Sequence, residues 1–547
     1  MSDHGDPRNH ATLIAALRDP SAYPHPVDAV ELIETHISSV LLAGDYAYKL
    51  KKPVDLGFAD FSTLARRKQF CDEEIRLNRR SAPSLYLDVV PITGVAQAGR
   101  VRVGGDGAVL DYAVRMRRFP DAARLDRVAR AGRLDAALID RLAGSIAALH
   151  ARCAPAPPGS PFGTPSTIHD WMRNTTTQLR TLIEQQGAPG ATRQGLERVL
   201  RWSEREFARR EGIFTARRAA GFVRECHGDL HLANVALIEG EPVAFDCIEF
   251  NPGLRFIDVM SDVAFAWMDL LDHDLPRQAA RFLNAYLEST GDYAGLATLR
   301  YYAVYRALVR ALVALIRGGQ AHDRTGVTQH ETRDCARYLA VAERLTQPAE
   351  PQMILVSGVT GSGKTTVAQH LLEDLGAVRV RSDVERKRRA GITPTSHTAT
   401  QIDAGLYHPA TTQATYAQLA LAAPAILDAG FVAIVDATFQ RRTDRDTLRA
   451  LAAVAGARFD VVVCDAPAQT LRARVEARRV RGDDASDATV AVLERQLATF
   501  EAPAEEEGVC RIDTDADPPT VARRCAALAG QLTAAAAGPM ARARKVR

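Results

Sequence analysis

The sequence predicts two domains: an N-terminal α+β domain over residues 1–345, and a C-terminal α/β domain with a parallel sheet over 353–537. Three observations predict this. The chain has 547 residues, too many for one hydrophobic core at roughly 150 residues per domain. Extended alternation dominates the early part and helical periodicity the part after it, whereas from residue 353 strands and helices alternate. Between them lies a break, TQPAEPQ (346–352), which reads as a linker.

In chain order, alternation near 39–50 and 109–119 predicts strands, and periodicity near 134–150 predicts a helix. The stretch CAPAPPGSPFGTPS (153–166) is too rich in Pro, Gly and Ser for a helix and reads as a loop. Apolar helices follow near 258–271 and 300–316. The linker spans at most roughly 25 Å, which keeps the two domains close. Beyond it come the strand MILVSG with a helix from Lys364, then FVAIVDA (431–437) with a helix, then FDVVVCDA (459–466) with an Arg-rich helix. Apolar strands alternating with helices are the pattern of a parallel sheet covered on both faces. The end, GPMARARKVR (538–547), reads as a basic, solvated tail.

Apolar residues make up 46% and charged residues 25%, ordinary globular usage. Lys plus Arg (69) nearly balance Asp plus Glu (66), and a net charge of +3 supplies no strong field for nucleic acid or membrane. Residues 1–20 lack an apolar signal core, and no apolar run approaches ~20 residues, which places the protein in the cytoplasm. The eight cysteines form no CxxC pair and do not cluster with histidine, which argues against zinc and a disulfide framework.

Gly358-Val-Thr-Gly-Ser-Gly363-Lys364-Thr365 matches GxxxxGK[ST] between an apolar strand and a helix. Glycines let consecutive N–H groups curl around a phosphate, and the helix N-terminus adds positive charge. The nucleotide contacts are therefore Gly358, Thr360, Gly361, Ser362, Gly363, Lys364, Thr365 and Thr366, with Thr365 also a Mg²⁺ ligand. Asp383, after the strand AVRV, is placed to take a proton from a substrate hydroxyl, and Arg386 to hold substrate or the transferring phosphate. Asp436 ends a strand where an acid would orient Mg²⁺. Arg474 and Arg478 are four apart, on one helical face, and suit a lid over phosphates.

His227-Gly-Asp229-Leu-His-Leu-Ala-Asn234 has the HxDxxxxN form of a kinase catalytic loop, with Asp229 accepting the hydroxyl proton and Asn234 ligating Mg²⁺. The following segment reads as a hairpin turning at Glu239–Pro242, which brings Asn234 beside Asp246 as a second metal ligand. Such a site needs a phosphate-binding Lys and a Glu to orient it. Lys49 is the first candidate, with Lys51 and Lys52 as rivals. Glu74 is its partner, with Glu73 as the alternative.

These motifs carry two resemblances. GxxGSGKTT, SDVERK, VDATF and LRARVEAR, over roughly 353–515, resemble P-loop (AAA-family) kinases that include gluconate kinases, zeta toxins, chloramphenicol phosphotransferases and polynucleotide 5′-kinases. The resemblance implies transfer of the ATP γ-phosphate to a hydroxyl. HGDLHLANV, FDCIEFNP and DVMSDVAF, over roughly 25–340, resemble the aminoglycoside and choline kinase branch of the protein-kinase-like fold. That implies Mg²⁺ on Asp246, with Asp258 and Asp262 bracing the catalytic loop and DYAVRMRRF (111–119) at an adenine-binding hinge. The chain departs from this family in having no clear Gly-rich loop before Lys49.

The expected cofactors are ATP and Mg²⁺, the partners small-molecule hydroxyl acceptors. Two further readings remain open: a nucleotide sensor whose N-terminal domain is inactive, and a nucleic-acid 5′-end kinase.

Overall fold

The computed structural model describes residues 7–55, 57, 59–95, 100–186, 190–325, 329–392, 408–481, 486 and 488–536. The basic tail lies outside them. Two compact units emerge, Met1–Ile168 with Thr215–Ala266, and His169–Phe214 with Trp267–Arg547. The expected linker 346–352 therefore falls inside the second unit.

In the first unit six antiparallel strands form one sheet: β1 (Val30–Glu34), β2 (Ser38–Ala43), β3 (Tyr46–Lys51), β4 (Tyr86–Val95), β5 (Arg100–Val103) and β6 (Val109–Arg117), in the order β1-β2-β3-β6-β4-β5. The hinge candidate 111–119 is mostly this central β6, whose Val114 pairs with Lys49. Alternation buries Leu41, Tyr48, Leu50, Ile92 and Ala113 in one cluster. The helix Leu64–Asn78, capped by Thr63, buries Cys71 and Ile75 against Tyr86 and Val114.

Short strands β7 (Val223–Glu225) and β10 (Phe256–Asp258) pair and frame the segment 227–234. Between them β8 (Val235–Ile238) and β9 (Glu241–Ala244) form a hairpin. Its turn is tighter than the expected 239–242: Glu239 and Gly240 both have positive φ, +52° and +86°, as a two-residue hairpin turn with the right twist requires.

The second unit holds five parallel strands: β11 (Gln352–Ser357), β12 (Val378–Arg381), β13 (Ala433–Asp436), β14 (Arg458–Asp465) and β15 (Val509–Asp513), ordered β12-β13-β11-β14-β15. Every residue of β11 is buried, which is why Met353–Val356 within it reads as an unbroken apolar run. The helix Pro276–Thr290, more than 60 residues before β11 in sequence, belongs to this same core through Ala280. Its Asn284 closes the free edge of β12, donating to the Ala377 carbonyl (2.9 Å) and accepting from the Arg379 N–H (2.7 Å). An edge strand otherwise presents unpaired backbone groups.

All eight cysteines are free, seven of them buried. Among the described residues no helix is long and apolar enough to cross a membrane.

Candidate functional site

In the second unit β11 ends at Ser357 and the loop 358–363 follows before the helix Lys364–Leu375. Gly361 has φ +82°, and a Cβ there would lie 2.9 Å from the Leu471 carbonyl oxygen, so only glycine fits. Lys364 Nζ donates to the carbonyl of Val359 (2.9 Å), curling over its own loop, and burial lowers its pKa. Ser362 Oγ is buried in the loop with no hydrogen-bond partner among the described residues, as suits a cradle for phosphate oxygens.

Thr365 Oγ1 donates to Asp436 Oδ2 at 3.1 Å, and Asp436 is the last residue of β13. Burial raises the Asp436 pKa. Asp383 lies in the first turn of the helix Ser382–Arg389 and pairs with Arg386 one turn on. Burial pushes its carboxyl up, but Arg386, Arg381 and Lys364 outweigh this and hold it below the usual carboxylate range. Asp383 is therefore ionised at neutral pH, the state a proton acceptor needs.

From the helix Ala468–Arg481, Arg474 donates to the Gly361 carbonyl (3.3 Å) and the Thr514 carbonyl (2.7 Å), and Arg478 to Thr360 Oγ1 (2.8 Å). The two arginines thus lie against the phosphate loop. A cavity of about 600 Å³ is bordered by every expected nucleotide, metal and base residue of this half except Gly358 and Ser362. That volume suits a small-molecule site.

Sequence reasoning missed one component. Glu288, on the helix Pro276–Thr290, accepts from Arg379 Nε and Nη2 (3.0 and 2.7 Å) and lies 3.7 Å from Arg381. Arg379 in turn reaches the Thr365 carbonyl (3.3 Å), while Arg381 lies 3.4 Å from Thr365 Oγ1 and 3.7 Å from Asp436. Two arginines held by one distant glutamate therefore both reach Thr365, and Arg381 also lies beside Asp436. The available signal was Arg379 and Arg381 two apart in a buried strand, on one face and in need of a carboxylate. Nothing in the sequence around Glu288 named it as that partner.

In the first unit, Lys49 on β3 pairs with Glu74 at 2.8 Å and with Asp246. Lys51, two residues on and facing the same way, pairs with Glu74 at 2.8 Å and with buried Glu249. Lys52 points elsewhere, donating to the Thr35 carbonyl (2.7 Å), and Glu73 pairs with Arg76 and Arg255. Glu74 feels burial pushing its carboxyl up, but the two lysines pull it well down. Burial raises the pKa of Glu249 despite Lys51.

Asn234 Nδ2 donates to Asp229 Oδ2 at 2.9 Å. The hairpin register corrects one expectation: Val235 pairs with Ala244, so Asn234 lies opposite Phe245, whose N–H donates to its carbonyl (2.9 Å), one residue short of Asp246. Asp246 itself turns with φ +64°, and its N–H donates to Tyr86 OH (3.0 Å). A non-glycine residue held in this region is characteristic of functional turns. Asp262 accepts from the N–H groups of His227 and Gly228 (2.7 and 2.9 Å), fixing the start of the 227–234 loop. Asp258 instead pairs with Arg217 (2.7 Å). The β1–β2 turn at 35–37 is Thr-His-Ile and contains no glycine.

Residues 353–503 match the family model described as an AAA domain. Over 480 residues the chain is 29% identical to uncharacterized proteins of Mycobacterium tuberculosis and Mycobacterium bovis, covering 87% of this chain and 92% of theirs. A gluconokinase from Sinorhizobium meliloti is similar over 34% of this chain and 95% of its own, at 22% identity and TM-score 0.25. A choline/ethanolamine kinase family protein from Mesorhizobium loti is similar over 62% of this chain and 100% of its own, at 13% identity and TM-score 0.34. With TM-scores below 0.5, these two likenesses carry no functional inference.

Proposed function

We propose that the chain is an ATP-dependent phosphotransferase with two nucleotide sites, each passing the γ-phosphate to a hydroxyl of a small molecule. The observation that carries this reading, for the second unit, is the convergence of the Lys364 loop, the Thr365–Asp436 pair and the Asp383–Arg386 ion pair on one cavity.

In that cavity Lys364, Arg474 and Arg478 hold the phosphates, and Thr365 with Asp436 would hold Mg²⁺, which draws charge off the β- and γ-phosphates when bound. Asp383 accepts the proton of the attacking hydroxyl, and Arg386 fixes the orientation of Asp383 through their ion pair. In the first unit Lys49, oriented by Glu74, faces the phosphates; Asp229 is the base, while Asn234 and Asp246 would hold the metal.

A second reading makes the first unit a nucleotide-dependent regulator without catalysis. The glycine-free β1–β2 turn favours it, because a side chain at each position restricts how closely backbone N–H groups approach phosphate. Acceptor-dependent ADP release by wild type, Asp383→Asn and Asp229→Asn separates the two. Loss in Asp383→Asn alone selects the regulator; loss of a distinct acceptor's turnover in each variant selects two kinases; no change in either variant overturns both.

A further inference from the structure

Among the described residues, seven cationic side chains border the cavity of the second unit, against three carboxylates, Asp383, Asp436 and Asp444. Lys364, Arg474 and Arg478 serve the phosphate loop, and Arg381 the metal end. A Mg²⁺-bound triphosphate carries a net charge of only about −2. Among these described residues cationic charge is therefore left over after nucleotide and acids are counted, and excess charge in a concave site favours a ligand of opposite sign.

Part of that excess is delivered by a constructed loop. After Asp436 the chain passes through Phe439 at φ +50°, a conformation rare for a bulky residue. Four contacts impose it. The Phe439 N–H donates to Tyr416 OH (3.0 Å), its carbonyl accepts from Arg445 (3.1 Å), and its ring stands edge-on to Tyr416. The Gln440 carbonyl accepts from the Glu501 N–H (2.9 Å). Arg445 is itself fully buried and paired with Glu507 at 2.8 and 3.0 Å. The result is that Gln440 and Arg441 are presented at the cavity wall, which Arg386, Tyr416 and Thr412 also border. Arg441 meets Asp444 at 3.5 Å, and its side chain is 65% exposed, so the guanidinium is available to a solute.

Resting on the kinase reading of this site, we propose that its acceptor is a hydroxyl compound bearing an anionic group, carboxylate or phosphate, which Arg441 grips together with Arg386. The acceptor oxygen bonds to the γ-phosphorus as the bond from that phosphorus to the β–γ bridging oxygen breaks. The hydroxyl proton passes to Asp383 and ADP leaves with the bridging-oxygen electrons.

The test is equilibrium binding to full-length protein. Mg²⁺-AMP-PNP is titrated first; then D-glucose, D-gluconate and D-glucose 6-phosphate are titrated into the saturated complex, for wild type and Arg441→Gln. Expected is at least about tenfold tighter binding of one anion than of glucose, with the gap abolished in Arg441→Gln and AMP-PNP affinity unchanged. Preference for gluconate identifies a carboxylate acceptor, and for the sugar phosphate a phosphorylated one. Equal binding of glucose and the anions, no binding of either anion, or a preference that survives Arg441→Gln overturns the proposal while leaving the nucleotide reading intact. Failure of the first titration removes the nucleotide reading and this subsite with it.

Discussion

Glu288→Ala should destabilise the P-loop region although Glu288 lies far from it in sequence. The Arg379 side chain is 4% exposed and directs Nε and Nη2 at the Glu288 carboxylate, at 3.0 and 2.7 Å. Removing the carboxylate strands a buried guanidinium, at a cost of about 3–5 kcal/mol. For a unit of this size 1 kcal/mol moves the midpoint by about 1.5 °C, so a fall of roughly 4–7 °C is expected. Differential scanning calorimetry would measure it, the relevant transition being the one that Mg²⁺-AMP-PNP raises. Glu204→Ala, which removes an exposed partner of His169 (3.0 Å), serves as control, with a change below about 1 kcal/mol. Arg381 also loses a neighbour in Glu288→Ala and is left to Thr365 and Asp436, so half-saturation by Mg²⁺ should shift to higher concentration. An unshifted midpoint would refute the reasoning, since it would mean that the helix Pro276–Thr290 does not hold the edge of this sheet.

Other consequences follow from single residues. Glu74→Gln leaves Lys49 and Lys51 buried with one carboxylate fewer; a loss of about 3–5 kcal/mol is expected, read as a lower unfolding midpoint of the first unit. Gly361→Ala combines a left-handed φ with a 2.9 Å approach to the Leu471 carbonyl, so Mg²⁺-ATP affinity should fall by about tenfold or more in a binding titration. Asp272, buried and paired with Arg337, has its pKa pushed up to about 6 by burial. Its folded pKa lies above its unfolded value, so its contribution to stability is fully present below about pH 4 and is lost as pH rises through about 6. The loss is on the order of 2–3 kcal/mol. Asp272→Asn should flatten the midpoint-against-pH curve across that window; an unchanged slope would assign the titration elsewhere.

Much of the fold was legible because period and punctuation agree. The phosphate loop sits between an apolar strand and a helix, and the alternating β3 carries its two lysines on one face, so Lys49 and Lys51 both reach Glu74. What was illegible is long-range. Glu288 reaches Arg379 across 91 residues, and no local pattern encodes that pairing. The same holds for Glu249, which meets Lys51 across 198 residues. Asn234 meets Phe245 and not Asp246 because the hairpin turns at Glu239-Gly240, which sets Ile238 opposite Glu241, and any shift in pairing changes which residue faces Asn234.

The most direct test of two nucleotide sites is the stoichiometry of Mg²⁺-AMP-PNP binding by calorimetry for wild type, Lys364→Ala, Asp246→Ala and the double variant. Two equivalents for wild type, one for each single variant and none for the double are expected. A single equivalent in wild type, abolished by Lys364→Ala and untouched by Asp246→Ala, would contradict the account.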